Sequence, residues 1–122
     1  CQPFIQDAAA FALSHEFEEC ALMRSALEQR GRRAVEILQQ CPAVRAPMPE
    51  GGMFVFADVR PTGMSGQDFA LALLAEENIA VMPGEAFGKA GAGHVRISLT
   101  APLEVLEASV ARIASFAARR TG

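Results

Sequence analysis

Apolar residues recur at spacings of three, four and seven across residues 15–40, which is the pattern of an amphipathic α-helix. Ser14 is predicted to cap the start of this helix, and Pro42 is predicted to stop it. The predicted apolar stripe consists of Phe17, Cys20, Leu27, Ala34, Val35 and Leu38. Charges of alternating sign follow at four-residue spacing on the opposite face, at Arg24, Glu28, Arg32 and Glu36.

Shorter elements are predicted on both sides of this long helix. Residues 2–13 are rich in alanine and permit a helix. After a proline-punctuated connector over residues 43–52, residues 53–59 are aromatic and β-branched, which favours a strand. A second helix is predicted from Ser65 to about Glu77, with Asp68 three residues after the Ser65 cap.

The last third of the chain is predicted to hold two strands and a helix. Residues 79–82 form a short apolar run, and a glycine-rich loop over residues 85–93 is predicted to be a flexible connector. Residues 94–100 alternate strictly, with Val95, Ile97 and Leu99 on one side and His94, Arg96 and Ser98 on the other. A final helix is predicted to start with Pro102 in its first turn and to bury Val105, Leu106, Ser109, Val110, Ile113 and Phe116.

This order of elements predicts an α+β fold. We expect a small, mostly antiparallel sheet of three to four strands with helices packed on one side, preceded by the long helix. The one-sided alternation of residues 94–100 carries this expectation, since only one face of that strand is apolar.

Length and composition limit the possible classes of protein. The chain has 122 residues, of which 51% are hydrophobic, and a net charge of −3. These values fit one globular domain and disfavour disorder, and the acidic balance disfavours a nucleic-acid partner. Charged residues interrupt every long apolar segment, so no membrane span is expected. The high apolar content of so small a unit predicts a piece of a longer protein that covers some of this surface.

The cysteines and histidines predict neither a disulfide nor a metal site. Cys20 and Cys41, if they share one helix, lie about 31 Å apart, which is too far for a disulfide. An odd count of three cysteines without framework spacing favours a reducing cytosol. The two histidines, His15 and His94, do not supply zinc-ligand spacing.

The glycine-rich loop does not fit a phosphate-binding motif. Between Gly84 and Gly88 there are three residues where a P-loop needs four, and Ala90 stands where a magnesium-binding Ser or Thr belongs. The loop also precedes a strand, whereas phosphate loops lead into a helix N-terminus. We therefore reject a nucleotide site there.

Arg96 is the strongest candidate for chemistry. It is predicted to lie in the middle of a strand, on the face away from the apolar side chains. Arginine is unfavourable in that position unless its guanidinium meets an anion. An ion pair with Asp or Glu of a packed helix and a bound anionic ligand explain this position equally well.

Four motifs in order resemble class I/II aminotransferases, which are pyridoxal-phosphate enzymes of fold type I. Residues 49–59 (PEGGMFVFADV) look like the P-x-G-G-x-F strand of that family, and residues 79–88 (IAVMPGEAFG) resemble its V-x-x-x-P-G-x-x-F-G segment. Residues 95–98 (VRIS) are similar to the family's V-R-I-S, and a last helix with Arg112 and Ile113 follows. The resemblance covers almost the whole chain.

The resemblance implies which part of the enzyme this chain is. Residues 14–122 would be the small C-terminal domain, with residues 14–41 as the helix that joins it to the cofactor domain, and residues 1–13 would be a remnant of that domain. Arg96 corresponds to the family arginine that grips the substrate α-carboxylate, and Phe54 lines the pocket. The Schiff-base lysine of the family lies upstream, and Lys89 does not match its motif.

The implied activity is amino-group transfer between an amino acid and a 2-oxo acid, in a cytoplasmic homodimer when the protein is full length. Pyridoxal 5'-phosphate would be bound mainly by the missing domain, so the isolated chain is expected to be inactive. Lyases and decarboxylases share the fold type, and the substrate side chain cannot be deduced. Two alternatives remain: an effector-sensing aminotransferase-like domain of a transcription regulator, and an independent α+β binding module.

Overall fold

The computed structural model describes residues 1–121 and contains four α-helices and one three-stranded sheet. The helices are α1 (Pro3–Leu13), α2 (Glu18–Leu38), α3 (Gly66–Glu77) and α4 (Leu103–Ala118), and the strands are β1 (Phe54–Asp58), β2 (Met82–Pro83) and β3 (His94–Ser98). The sheet order is β1-β3-β2, and β3 pairs antiparallel with both neighbours. This confirms the α+β class and the small antiparallel sheet.

The hydrophobic core lies between one face of the sheet and helices α2, α3 and α4. Val55, Ala57, Val95 and Ile97 alternate along β1 and β3 and face this core, each with at most 5% of its surface exposed. Phe69 of α3 meets Phe116 of α4 edge to face, with 5.1 Å between the ring centroids. The period-two pattern of the strands therefore leaves the second face of the sheet free of the core.

Helix α2 packs on the core only from Leu27 to its C-terminal end. Ala34, Val35 and Leu38 are buried as predicted, but Phe17 and Cys20 are exposed, which corrects the first half of the predicted stripe. Residues 1–25 are exposed throughout, because no other described part of the chain covers them. Apolar side chains thus lie uncovered along α1 and the start of α2.

The junction between α1 and α2 differs from the prediction. Ser14 does not cap α2: it is the C-cap of α1, and its hydroxyl donates a hydrogen bond to the carbonyl of Phe11 (3.0 Å). Its backbone is in the right-handed helical region, so it continues the last turn of α1 instead of opening a new helix. Helix α2 begins later, at Glu18, with Phe17 in extended conformation before it.

Helix α3 begins as the sequence predicts. The Ser65 side chain accepts a hydrogen bond from the backbone N–H of Asp68 (3.0 Å) and donates one to the Asp68 carboxylate (2.6 Å). The helix ends at Asn78, which is in the left-handed region with φ of 53°. Both ends of α3 are therefore set by local sequence.

Two strand predictions need correction. The predicted strand over residues 79–82 is wrong for most of its length, since only Met82 and Pro83 pair with β3. Ile79 and Val81 pack against the core instead, and a cavity of about 290 Å³ separates this segment from the end of β3. The last predicted strand ends at Ser98, although the N–H of Leu99 still donates to the carbonyl of Met53.

Helix α4 starts one residue later than predicted, because Pro102 is its N-cap and Leu103 its first residue. Val105 was predicted to be buried but is 55% exposed, since it points away from the face that carries the buried residues. That face consists of Leu106, Val110, Ile113, Phe116 and Ala117. It packs against the C-terminal half of α2 and against α3.

Candidate substrate-binding face

The second face of the sheet presents aromatic and charged side chains. In the pairing of β1 with β3, Phe54 is opposite Ser98, Phe56 is opposite Arg96, and Asp58 is opposite His94. Alternation places these residues on one side of the sheet, away from the helices. Apart from Asp58, which is buried, they are half-buried or exposed. This face is therefore accessible in the described chain.

Arg96 lies at the centre of this face. It is in the middle of the central strand, with Phe56 of β1 on one side and Met82 of β2 on the other. Its guanidinium carbon Cζ lies 4.0 Å from the ring centroid of Phe54 and 4.7 Å from that of Phe87. Both distances are within the range of cation–π attraction, which contributes about 0.5–2 kcal/mol per pair.

The guanidinium of Arg96 makes no ion pair within residues 1–121, so the internal ion pair considered from the sequence is not observed there. A carboxylate on the same face, that of Asp58, is held by another arginine. Asp58 accepts hydrogen bonds from Arg60 Nε (2.9 Å) and Arg60 Nη2 (2.8 Å), and also from the Arg60 backbone N–H (3.0 Å). Arg96 thus keeps donors available to a ligand.

The Asp58 carboxyl is strongly acidic for a structural reason. The side-chain hydrogen bonds from Arg60 lower its pKa from the ordinary value of 3.8 to about 2, against the opposing effect of burial. It remains ionised at neutral pH, bound to Arg60 at one end of the face. It is therefore not available as a partner for Arg96.

Phe87 reaches Arg96 from a tightly packed turn. Residues Gly84–Phe87 form a 3₁₀-helix directly after β2. A Cβ atom on Gly84 would lie 2.1 Å from the carbonyl oxygen of Gly91, so only glycine permits this close approach of the two backbones. The glycine-rich loop is therefore not a flexible connector as predicted: it folds into two 3₁₀-helices, Gly84–Phe87 and Lys89–Gly91.

Glu85 ties this turn to its neighbours. Its Oε1 accepts hydrogen bonds from the backbone N–H groups of Gly66 (2.9 Å) and Gly93 (3.0 Å), at the start of α3 and just before β3. The pKa of this carboxyl is lowered, chiefly by the Gly93 N–H, because these donors favour the charged form. The turn that carries Phe87 is thereby held against both elements.

Phe56 and His94 complete the aromatic part of the face. Their rings are stacked, with 5.1 Å between centroids and 13° between planes, and the edge of Phe56 also meets Phe87 at 6.1 Å. His94 Nδ1–H donates to the carbonyl of Ala92 (3.0 Å). The rings of Phe54, Phe56, Phe87 and His94 thus lie on the same side of the sheet as the Arg96 side chain.

Both predicted site residues, Arg96 and Phe54, are brought together by the fold. Sequence reasoning missed Phe56, Phe87 and His94 as neighbours of Arg96. The alternation of the strands contained the signal for Phe56 and His94, since both share the Arg96 side. Phe87 follows a glycine turn that has no periodic pattern. The only sequence signal for it was its position in the family-like segment of residues 79–88.

The described residues offer no metal site, since residues 1–121 contain no group of three or more His, Cys, Asp or Glu side chains that could hold a metal. The three cysteines are free thiols. In this part of the chain no helix is both long and apolar enough to cross a membrane.

Comparison with protein families gives a match over nearly the whole chain. Residues 2–113 match the model of the family described as aminotransferase class I and II. The chain belongs to this family. The relatives and structures described next cover almost all of the chain, whereas the chain spans only about 30% of their length.

Among its relatives, the chain is 44% identical over 119 residues to arginine–pyruvate transaminase AruH of Pseudomonas aeruginosa. The aligned region covers 98% of this chain and 30% of that protein. It is 38% identical to an aspartate aminotransferase of Pyrococcus abyssi, over 90% of this chain and 28% of that protein. The fold resembles a crystal structure of an aromatic aminotransferase from Pyrococcus horikoshii, with a TM-score of 0.80, 36% identity, and 92% and 30% of the two chains covered.

Proposed function

We propose that this chain is the part of a full-length aminotransferase that grips the substrate α-carboxylate, and that Arg96 is the gripping residue. The observation that carries the proposal is the Arg96 guanidinium itself. It is presented on the uncovered face of the sheet and forms no ion pair within residues 1–121. The reaction would move an amino group between an amino acid and a 2-oxo acid.

The chemistry of arginine suits this role. A guanidinium is planar and can donate two parallel hydrogen bonds to the two oxygens of a carboxylate. A bound α-carboxylate fixes the position of the substrate Cα and so orients the bonds that react. Phe54 would line the same carboxylate site, since its ring centroid lies 4.0 Å from the guanidinium carbon of Arg96.

Pyridoxal 5'-phosphate is the cofactor that the family implies, and it supplies the amino-group carrier when bound. We expect no cofactor ligand among the described residues. Lys89, the single lysine of the sequence, is exposed on the short Lys89–Gly91 helix and does not match the family's cofactor lysine motif. The cofactor would therefore be bound mainly by other parts of the full-length protein.

The isolated chain should accordingly be inactive and hold no cofactor. After the chain is mixed with pyridoxal phosphate and desalted, we expect no stoichiometric cofactor absorbance to remain. A stable adduct at Lys89 would contradict this part of the proposal.

The exposed apolar surface supports a larger assembly. Phe4, Phe11 and Leu13 of α1 are 67%, 58% and 89% exposed. We assign residues 1–13 to the cofactor domain and residues 14–122 to the small domain of a cytoplasmic homodimer. Sedimentation of the isolated chain should show concentration-dependent association, and a strictly monomeric chain at high concentration would count against this assignment.

The substrate side chain is not fixed by this segment. The relatives carry names for arginine–pyruvate, aspartate and aromatic-amino-acid aminotransferases, although they share this region. Arginine with pyruvate is the first pair to test, because of the 44% identity to the arginine–pyruvate enzyme. The comparisons give no support to the alternative of an effector-sensing regulator domain.

Substitution of Arg96 by lysine in the full-length enzyme tests the proposal. Arg96→Lys keeps the charge but loses the planar fork, so we expect kcat/KM to fall roughly tenfold to a hundredfold for both the amino acid and the 2-oxo acid. Cofactor affinity should change little. Arg32→Lys is the matched control, because Arg32 is on the exposed face of α2 and pairs with Glu28. Equal activity of the two variants would contradict the proposal.

A further inference from the structure

Two phenylalanine rings reach the Arg96 guanidinium from opposite flanks of the central strand. Phe54 belongs to β1, on one side of β3, and Phe87 follows β2, on the other side. Their ring centroids lie 4.0 Å and 4.7 Å from Arg96 Cζ. We name Phe54 and Phe87 the aromatic clamp.

The aromatic clamp stabilises the guanidinium without using its hydrogen-bond donors. A cation over a ring is attracted by the negative face of the π system. All five N–H donors of the guanidinium remain usable by a ligand, which would not hold if a carboxylate of the protein were bound there. The clamp thus restricts the side chain while leaving its binding edge free.

Phe87 is placed by the packing of the turn that carries it. Its turn is anchored by Glu85 to α3 and to Gly93, and the close backbone approach of Gly84 to Gly91 fixes its path. The edge of Phe56 also meets the Phe87 ring. Phe87 itself is 50% exposed, so these contacts fix the position of its ring without burying it.

We propose that Phe87 is a positioning residue: together with Phe54 it holds the Arg96 guanidinium so that its N–H edge meets a planar substrate carboxylate. This inference rests on the carboxylate-binding role proposed for Arg96. It adds that the affinity for the carboxylate depends on a ring at position 87, which touches the arginine and need not touch the substrate.

Kinetics of two variants at position 87 in the full-length holoenzyme test the inference. Phe87→Leu removes the ring, whereas Phe87→Tyr keeps it at a position that is 50% exposed. The substrate pair is the common amino acid that the enzyme uses fastest and the amine that lacks only its α-carboxylate, as in L-arginine and agmatine.

Phe87→Leu should lower kcat/KM for the amino acid roughly threefold to thirtyfold, which is about 0.6–2 kcal/mol at 1.36 kcal/mol per tenfold. The residual activity with the amine should stay within about twofold, and Phe87→Tyr should restore activity with the amino acid. A merely structural role would lower both activities together. Equal losses on both substrates would overturn the inference.

Arg96→Lys separates failure of this inference from failure of the proposed function. If Arg96→Lys does not impair use of the amino acid, the carboxylate role of Arg96 fails, whatever Phe87 does. If Arg96→Lys impairs it and Phe87→Leu does not, only the positioning role of Phe87 fails.

A spectroscopic measurement examines the clamp without any substrate. In the full-length protein labelled at arginine, the side-chain protons of Arg96 should resonate upfield of those of Arg32, which pairs with Glu28 on the exposed face of α2, because the rings of Phe54 and Phe87 shield them. Phe87→Leu should move these resonances downfield, and Phe87→Tyr should leave them in place. Arg96 resonances that do not respond to Phe87→Leu would overturn the inference even if activity falls.

Discussion

The two faces of the sheet use the same strands for different purposes. On the helical face, Val55, Val95 and Ile97 are at most 5% exposed and form part of the core. On the other face, Phe54 is 37% exposed and Arg96 is half-buried among rings. Because neighbouring residues of a strand point to opposite faces, Arg96 is adjacent in sequence to Val95 and Ile97 yet separated from their environment.

Because the two faces are separate, we expect that stability and ligand binding can be changed nearly independently along β3. The helical face contributes apolar burial, which dominates the free energy of folding. The other face contributes a cation with free donors, and its attraction to the two rings is smaller than the apolar burial of the core. Substitutions on the helical face should therefore lower stability more than substitutions on the other face, and three experiments test this difference.

The largest expected effect is on the helical face. Ile97→Ala should lower the free energy of unfolding by about 2–5 kcal/mol, because it removes buried apolar surface and leaves a cavity. Ser98→Ala, one residue later on the exposed side, should change it by less than about 1 kcal/mol, since its hydroxyl makes only exposed hydrogen bonds to Thr100. Urea denaturation of both variants measures the two losses in the free energy of unfolding. Similar losses would contradict the difference between the two faces.

An intermediate effect is expected at the turn that carries Phe87. Gly84→Ala should destabilise the protein by about 1–3 kcal/mol, since its Cβ would collide with the Gly91 carbonyl. Gly51→Ala is the matched control, because no atom lies within 4 Å of the added Cβ. Thermal unfolding with both variants tests this. If Gly84→Ala is as stable as Gly51→Ala, the close packing assigned to this turn is wrong.

The smallest effect is that of acid on the Asp58–Arg60 pair. The folded pKa of Asp58, about 2, lies below its ordinary value of 3.8, so the pair stabilises the fold above about pH 4 and loses this contribution as the pH falls toward 2. We expect on the order of 1 kcal/mol, because the Arg60 side chain is 64% exposed and solvent screens the pair.

Unfolding measured between pH 2 and pH 6 should therefore show a weaker acid dependence in Asp58→Asn than in the parent chain. The substitution keeps the shape of the side chain and removes its titration. Identical acid profiles would mean that folding does not lower the pKa of Asp58.

Local patterns predicted the elements whose cause is local. Strict alternation placed Val95 and Ile97 on one side of β3 and Arg96 on the other, and the Ser65–Asp68 spacing predicted the start of α3. The motif resemblance predicted the family that the match of residues 2–113 confirms. The strand faces and the helix start depend on residues close together in sequence, and the family follows from the order of several motifs.

Features set by distant contacts were not predictable in this way. Ile79 and Val81 have the composition of a strand but pack on the core without pairing along β3. The contact of Phe87 with Arg96 depends on the packing of Gly84 against Gly91, which no periodicity encodes. Cys20 fits a helical stripe but is exposed, since no described element covers that part of α2.

The central claim, that Arg96 meets the substrate carboxylate, is tested most directly by a double-mutant cycle in the full-length enzyme. The parent and Arg96→Lys are each measured with an amino acid and with the amine that lacks only its α-carboxylate. Removing the carboxylate should reduce kcat/KM in the parent roughly tenfold to a hundredfold more than in Arg96→Lys, because both changes delete the same interaction. Additive losses would contradict the claim and would mean that Arg96 does not contact the carboxylate.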